Sequence, residues 1–257
     1  MSTWLSIKDE RECLAQGTGK GIQIAVLDSA IETDNSQVRG LTLRDDLAIV
    51  EDGFQILTVE GGGRDVFGHG TAVCDIIHRI VPEAEIGSFR VLGEHLRSRT
   101  VIIREGACQA LDRGCHILNC SFGCGREEHV LQYKDWIDEA YAKGRHIVAA
   151  CNNQDFTKRE WPGHFPSVIT VNFIQTANPE AICYRSGHLV EFGARGEDIE
   201  VAWLRGDVKR VTGSSFATPH VAGLLARLLS VCPDLPPLEA KALLRQLANP
   251  CPNGALR

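Results

Sequence analysis

Short, nearly unbroken apolar runs alternate with longer helix-period segments along most of this chain, and that alternation limits the fold more than any other feature. The runs are Ile22 to Asp28, Ile86 to Leu92, His116 to Phe122, His146 to Cys151 and Val168 to Phe173. Helical patterns fall at His69 to Ile80, Thr100 to Arg113, His129 to Lys143, from about Ser214, and at about Pro237 to Leu247. Strands that are apolar on both faces must be covered on both faces. The alternation therefore predicts a three-layer α/β fold, a mainly parallel sheet with helices on both faces. The stretch from Glu32 to Gly63 keeps neither period and reads as loop with short strands. No low-complexity linker or internal repeat interrupts the pattern. Residues 1–257 are expected to form a single domain, with 1–20 as an N-terminal extension and 249–257 as a C-terminal tail. That length can bury a substantial core without staples.

Composition removes several classes of function. At 44% hydrophobic, 23% charged and a net charge of −6, the chain offers no general electrostatic reason to bind nucleic acid or an anionic membrane. No run approaches the ~18 apolar residues of a membrane span, and the first twenty residues lack the apolar core of a secretory signal. Ten cysteines would suit disulfides in a secreted chain. Several, such as Cys120 and Cys151, sit inside apolar strand patterns, where a thiol behaves as a small buried hydrophobe. The expectation is a cytoplasmic protein with reduced thiols. Cys115, Cys120 and Cys124 lack the paired spacing of a zinc site. Gly17-Thr18-Gly19-Lys20 precedes a strand and lacks a following Ser or Thr, so it reads as a turn and not as a phosphate loop. No cofactor and no metal are expected.

In a parallel sheet, functional groups collect at the carboxyl ends of strands and at the helix starts that follow. Three segments put reactive side chains there. Asp28 ends the first run in Val26-Leu27-Asp28-Ser29, and His69 opens a helix in Phe67-Gly68-His69-Gly70-Thr71. Ser215 opens another in Gly213-Ser214-Ser215-Phe216-Ala217-Thr218-Pro219-His220-Val221-Ala222-Gly223. Singly, each has a bland explanation, since aspartate at a strand end is commonly a turn residue and serine at a helix start a common N-cap. Together they are the set that acyl transfer requires. Serine is a poor nucleophile until a base takes its proton, and the imidazole needs a carboxylate to fix its tautomer. Their chain order, Asp then His then Ser, differs from the orders of the chymotrypsin-like and α/β-hydrolase triads.

On the Gly-His-Gly-Thr and Gly-x-Ser-x-Ala-x-Pro-His-Val-Ala-Gly segments, found in that order, the chain resembles the subtilisin-like serine proteases, the subtilase family. The resemblance runs from about Gly21 to Leu247. It implies a subtilisin-like fold and a serine endopeptidase that works through an acyl-enzyme and needs no cofactor. Its partner would be a peptide or protein substrate bound in extended conformation. By resemblance, Asn153 at the end of Val148-Ala149-Ala150-Cys151-Asn152-Asn153 donates to the oxyanion together with the Ser215 backbone N–H. Asn152 stands where the family usually has glycine and stays open as the alternative. Ser121, Phe122 and Gly123 resemble the strand that pairs with the substrate backbone. Glu160, before Trp161-Pro162-Gly163, falls at the floor of the specificity pocket, where a carboxylate would favour Lys or Arg before the cut bond. The bland alternative is a solvated charged loop shared with Asp155, Lys158 and Arg159.

Departures from the family pattern matter as well. Ala30 and Ala72 replace the usual glycine and second histidine, and neither takes part in acid–base chemistry. The segment that carries the family's tight calcium loop is shortened, and the family's inhibitory prodomain is expected to be absent, because Asp28 comes soon after Met1. Cys74 is expected to pack beneath His69, and His220 to pack or hydrogen-bond within its helix. A dedicated precursor peptide is one expected substrate. Peptide ligation or macrocyclisation on the same triad, and a non-catalytic peptide-binding module, are the alternatives.

Overall fold

In the computed structural model, residues 7–38 and 40–251 are described. Ten strands form one sheet. Five of them are β1 (Gln23–Asp28), β2 (Leu43–Asp52), β3 (Gln55–Glu60), β4 (Glu85–Arg90) and β5 (Ile117–Cys120). The chain continues through β6 (His146–Ala150), β7 (Ile169–Ile174), β8 (Ile182–Tyr184) and β9 (Phe192–Arg195). A separate antiparallel hairpin, β10 (Ile199–Ala202) and β11 (Val208–Val211), precedes the last sheet strand, β12 (Asn249–Pro250). The order across the sheet is β12-β8-β9-β7-β6-β5-β1-β4-β2-β3. The centre, from β7 through β2, is parallel; β3 and β8 run antiparallel to their partners β2 and β9.

The central strands are short because each is apolar on both sides. In β1 the alternation is strict: Ile24 and Val26 join one core cluster, Ala25 and Leu27 the other. The first cluster lies under α2 (His69–Ile80) and α5 (Ser214–Val231), with α1 (Ile7–Gln16) and α6 (Pro237–Leu247) behind them. The second lies under α3 (Thr100–Asp112) and α4 (Val130–Ala142), where Tyr133 and Trp136 are buried. Each fully buried Leu or Ile contributes about 1.5–3 kcal/mol relative to exposure, so both faces of the sheet hold it together. The three-layer parallel reading of the sequence therefore stands.

Three differences from the sequence reading have physical causes. The stretch 32–63 contains a long hairpin, β2–β3, paired over Leu47↔Glu60 to Asp52↔Gln55. It turns at Gly53-Phe54, with Gly53 at φ of 59° in the first loop position, where a tight hairpin turn favours glycine. Residues 7–20, expected as an extension, are tied to the body, since Arg227 Nε donates to the Gly17 carbonyl and the Gly19 N–H donates to Ser230 Oγ. The tail from 249 also begins on the sheet, with Asn249 opposite Cys183 and the Cys251 N–H on the Tyr184 carbonyl. That pairing brings Cys183 and Cys251 together as a disulfide, an exception to the reduced thiols expected from the sequence. Cys74, Cys115, Cys120 and Cys151 are buried thiols, as expected of thiols inside apolar patterns.

Candidate active site

The site forms where β6, β5 and β1 end side by side and α2 and α5 begin, so the sheet alone gathers residues from five segments. Asp28 is the last residue of β1 and is fully buried at 0% exposure. Its Oδ1 and Oδ2 lie 2.8 and 2.9 Å from His69 Nδ1, and Oδ1 also accepts the Ser29 N–H at 2.8 Å. An ionised carboxylate here makes Nδ1 the donor and leaves Nε2 with the basic lone pair. Burial pulls the imidazole's pKa down, but the charge and hydrogen bond of Asp28, with the charge of Asp65, hold it above 6.5. Phe216 of α5 packs against the ring, 5.1 Å between centroids, and shields that charge pair from water.

His69 sits at the start of α2 because Gly68 makes the turn, with φ of 104°. A side chain there would also collide with Trp203, whose ring atoms lie 2.8 Å from where a Cβ would stand. Ala30 opposite has φ of 88°, the left-handed conformation that glycine takes more easily.

Ser215 is the second residue of α5, and Pro219 lies four residues on within the same helix. Proline has no N–H, so the Ser215 carbonyl lacks its intrahelical donor. Ser121 Oγ supplies one at 2.8 Å, while itself accepting from Asn119 Nδ2 at 3.0 Å. The sequence reading concerns the Ser121 backbone; its hydroxyl is turned to the helix that carries Ser215. Ser214 is buried, its Oγ on the Cys151 carbonyl at 2.7 Å, whereas Ser215 is half-buried and lines the cavity. Among the described residues, His69 Nδ1 is bonded to Asp28 and no hydrogen bond joins His69 to Ser215.

The cavity beside Ser215 has a volume of about 340 Å³ and is walled by Phe122-Gly123, Asn152, Asn153 and Glu160. Its two walls are joined, because Cys124 and Trp161 exchange backbone hydrogen bonds of 2.9 Å in both directions. The two asparagines differ in what they hold. Asn152 Oδ1 accepts the N–H groups of Gln154 and Asp155, and its Nδ2 donates to Glu160 Oε1 at 2.7 Å. Asn153 Oδ1 accepts the Ser214 N–H at 2.8 Å, which turns its amide nitrogen away from that bond. Glu160 Oε2 lies 2.6 Å from where a Cβ on Gly123 would stand, so glycine is required for the carboxylate to reach the wall.

Other cysteine and histidine candidates fall away from the chemistry. Cys74 is a fully buried residue of α2, and burial drives its thiol pKa far up, which keeps it a neutral thiol. His220 Nδ1 meets the Pro179 carbonyl, and burial lowers its pKa to about 4, so it stays neutral. Cys115 and Cys120 belong to the core under α3 and α4. Among the described residues, no group of three or more His, Cys, Asp or Glu side chains converges as metal ligands, and no helix is long and apolar enough to cross a membrane. Sequence reasoning passed over Asp65, Ser29 and Thr71, which brace the start of α2. The available signal was an aspartate four residues before His69, at a helix start.

Comparison with known proteins gives a consistent result. Residues 19–256 match the model of the subtilase family. The minor extracellular protease Epr of Bacillus subtilis (strain 168) is 31% identical over 221 residues, 82% of this chain and 32% of its own length. This chain thus spans about a third of Epr. Subtilisin BL of Lederbergia lenta is 26% identical over 242 residues, 90% of this chain and 85% of its own length. Among solved structures, a cold-adapted subtilisin-like serine proteinase superposes with a TM-score of 0.72 at 25% identity, covering 89% of this chain and 82% of its own. Sphericase, at 23% identity and a TM-score of 0.74, covers 89% of this chain and shares the fold.

Proposed function

This chain belongs to the subtilase family, and from that premise we propose that it is a serine endopeptidase with Ser215 as nucleophile, His69 as base and Asp28 as orienting carboxylate. The observation that carries the reading is the buried Asp28–His69 pair, two contacts of 2.8 and 2.9 Å in a site that Phe216 shields. In the proposed reaction, Ser215 Oγ attacks the peptide carbonyl as Nε2 takes its proton. The amine leaves with that proton, and water then cleaves the acyl-enzyme by the reverse transfers. Asp28 keeps Nδ1 protonated throughout and stabilises the imidazolium that forms.

The oxyanion role goes to Asn153 and the Ser215 N–H. Support comes from Asn152, whose amide group is held at both ends, its Nδ2 donating to Glu160 and its Oδ1 accepting from Gln154 and Asp155. Substrate is read as an extended strand along Phe122-Gly123, with the side chain before the cut bond entering the cavity toward Glu160. A partly desolvated carboxylate there favours Lys or Arg and repels acidic residues. A dedicated precursor peptide with a basic residue at the cut would suit such a pocket.

Mass analysis of peptides from a diverse library after incubation with the protein tests this reading. Hydrolysis leaves two fragments that together carry one added water, and basic residues should dominate the new carboxyl ends. Joined or cyclic products without added water would instead assign the same triad to acyl transfer onto an amine. Compartment is a separate matter. Buried thiols suit a reducing one, whereas the Cys183–Cys251 bond suits an oxidising one.

A further inference from the structure

We propose that Asp65 is a positioning residue of this active site, a buried carboxylate that couples the strand carrying Asp28 to the helix carrying His69. The inference rests on the triad reading above and adds a residue that reading does not use. Asp65 is 9% exposed and belongs to neither a strand nor a helix, yet five donors converge on its two oxygens. Oδ1 accepts Ser29 Oγ–H at 2.8 Å, the Phe67 N–H at 2.9 Å and the Gly68 N–H at 2.8 Å. Oδ2 accepts the Thr71 N–H at 2.8 Å and the Thr71 hydroxyl at 2.7 Å. No basic side chain is bonded to it.

These bonds have a common geometry. His69, Gly70 and Thr71 are the first residues of α2, and Gly68 at the N-cap has no side chain to satisfy their N–H groups. Asp65 takes the Thr71 N–H, and Ser29 Oγ takes the Gly70 N–H at 3.0 Å while donating to Asp65. Ser29 in turn is the residue after Asp28, and its own N–H is on Asp28 Oδ1. One continuous hydrogen-bonded path thus runs from the Asp28 carboxylate through Ser29 to Asp65 and into the first turn of α2. The Thr71 hydroxyl extends it by accepting the Glu32 N–H at 3.0 Å. A buried carboxylate with five donors fixes the position of the imidazole by bonds on both sides of it. An error of an ångström there costs proton transfer heavily.

Asp65 also acts through charge. The charged groups facing the imidazole are Asp28 from β1 and Asp65 from the loop before α2, while Phe216 from α5 presents an apolar ring. Both carboxylates favour the imidazolium that forms during attack. Removing the charge of Asp65 should lower the basicity of His69, so the base would be unprotonated at lower pH.

The test is Asp65→Asn, which keeps size and shape, removes the charge and sets an amide against the two Thr71 donors. The result expected is a kcat lower by about 10- to 100-fold with KM within about two-fold, as for a misplaced proton acceptor. The acid limb of the kcat/KM profile should also move to lower pH. A merely structural carboxylate would depress melting temperature without moving that limb, and this outcome would overturn the proposal, as would kinetics equal to wild type. If Asp65→Asn does not fold, Ser29→Ala removes the hydroxyl that joins Asp65 and the Gly70 N–H to the Asp28 strand. It should lower kcat several-fold at constant KM, and an unchanged kcat would count against the coupling. A wild-type protein inactive toward all peptides would overturn the triad reading and this inference with it. An active wild type indifferent to Asp65→Asn would overturn this inference alone.

Discussion

The two sides of the site, flanking Ser215, are built in opposite ways. On one side, Asp28, Ser29, Asp65 and His69 are all at or below 9% exposure and are held by bonds that cross between separate elements. On the other, residues 153–155 and 157–159 are exposed, and Asp155 is bonded mainly to its neighbour Thr157. The proton-transfer side is over-determined, so a change in any member is felt by the others. The recognition side is held by local turns and by two longer contacts, Asn152 to Glu160 and Asn153 to Ser214. Apart from the proposed oxyanion donor Asn153, substitutions there should alter preference while sparing the chemistry. Fixed chemistry and adjustable recognition on one sheet edge follow from which residues lie behind the strands and which lie on the loops beyond them.

The sharpest break in that comparison is Asp28→Asn. The wrong tautomer of His69 would lower kcat by about 10⁴-fold while KM changes little. In the unaltered protein, the acid limb of kcat/KM should lie above 6.5, because the net effect of the two carboxylates against burial raises the pKa of His69. The sign is fixed, since activity needs neutral imidazole and a raised pKa delays its appearance as pH rises. A pH–rate series on both proteins checks each statement.

Next in size is the oxyanion donor. Asn153→Ala should cost about 10²–10³-fold in kcat, and Asn152→Ala much less. Steady-state kinetics in which Asn152→Ala is the more damaging change would reverse the assignment.

A smaller effect separates recognition from chemistry. Glu160→Gln should reduce the ratio of kcat/KM for Lys and Arg substrates over Leu and Phe substrates by about ten-fold, near 1.4 kcal/mol. Activity on the Leu substrates should be nearly unchanged. A preference for Leu or Phe that is insensitive to the substitution would remove Glu160 from the pocket.

The smallest effect lies on the rigid side. Ala30 holds φ of 88°, which costs an L-residue about 1–2 kcal/mol. Glycine would relieve that strain but lose about 0.4–1 kcal/mol to the unfolded chain. Ala30→Gly should therefore stabilise by roughly 0.5 kcal/mol, net of those two effects, read as a small rise in melting temperature. A fall would mean that Ala30 sits there without strain.

What the sequence made legible follows the same division. The central strands could be read because burial on both faces makes them continuously apolar, as in Ile24 to Leu27. The β2–β3 hairpin could not be read so directly, because Arg44, Asp45, Glu51 and Gln55 keep it half-exposed and mask its period. The helix Ile7–Gln16 is polar by composition, and its place depends on distant partners such as Arg227 and Ser230. The triad was readable as three motifs in one order. Asp65 was not, since its partners Ser29 and Thr71 meet it only after β1 and α2 have docked. The bond of the Ser121 hydroxyl was hidden for a related reason: the carbonyl that Pro219 leaves open lies far along the chain, and only the fold brings the hydroxyl to it.

The central claim is that Ser215 is a nucleophile activated by His69 and Asp28. Treating the folded protein with a fluorophosphonate and locating the adduct by peptide mass mapping tests it most directly. One adduct per chain is expected, on Ser215, absent in Ser215→Ala and strongly slowed in His69→Ala. Ser215→Ala should also lower kcat on peptides by about 10⁶-fold, since triad members act as a unit. A folded wild-type protein that takes no label at Ser215, or that labels equally fast without His69, would contradict the account.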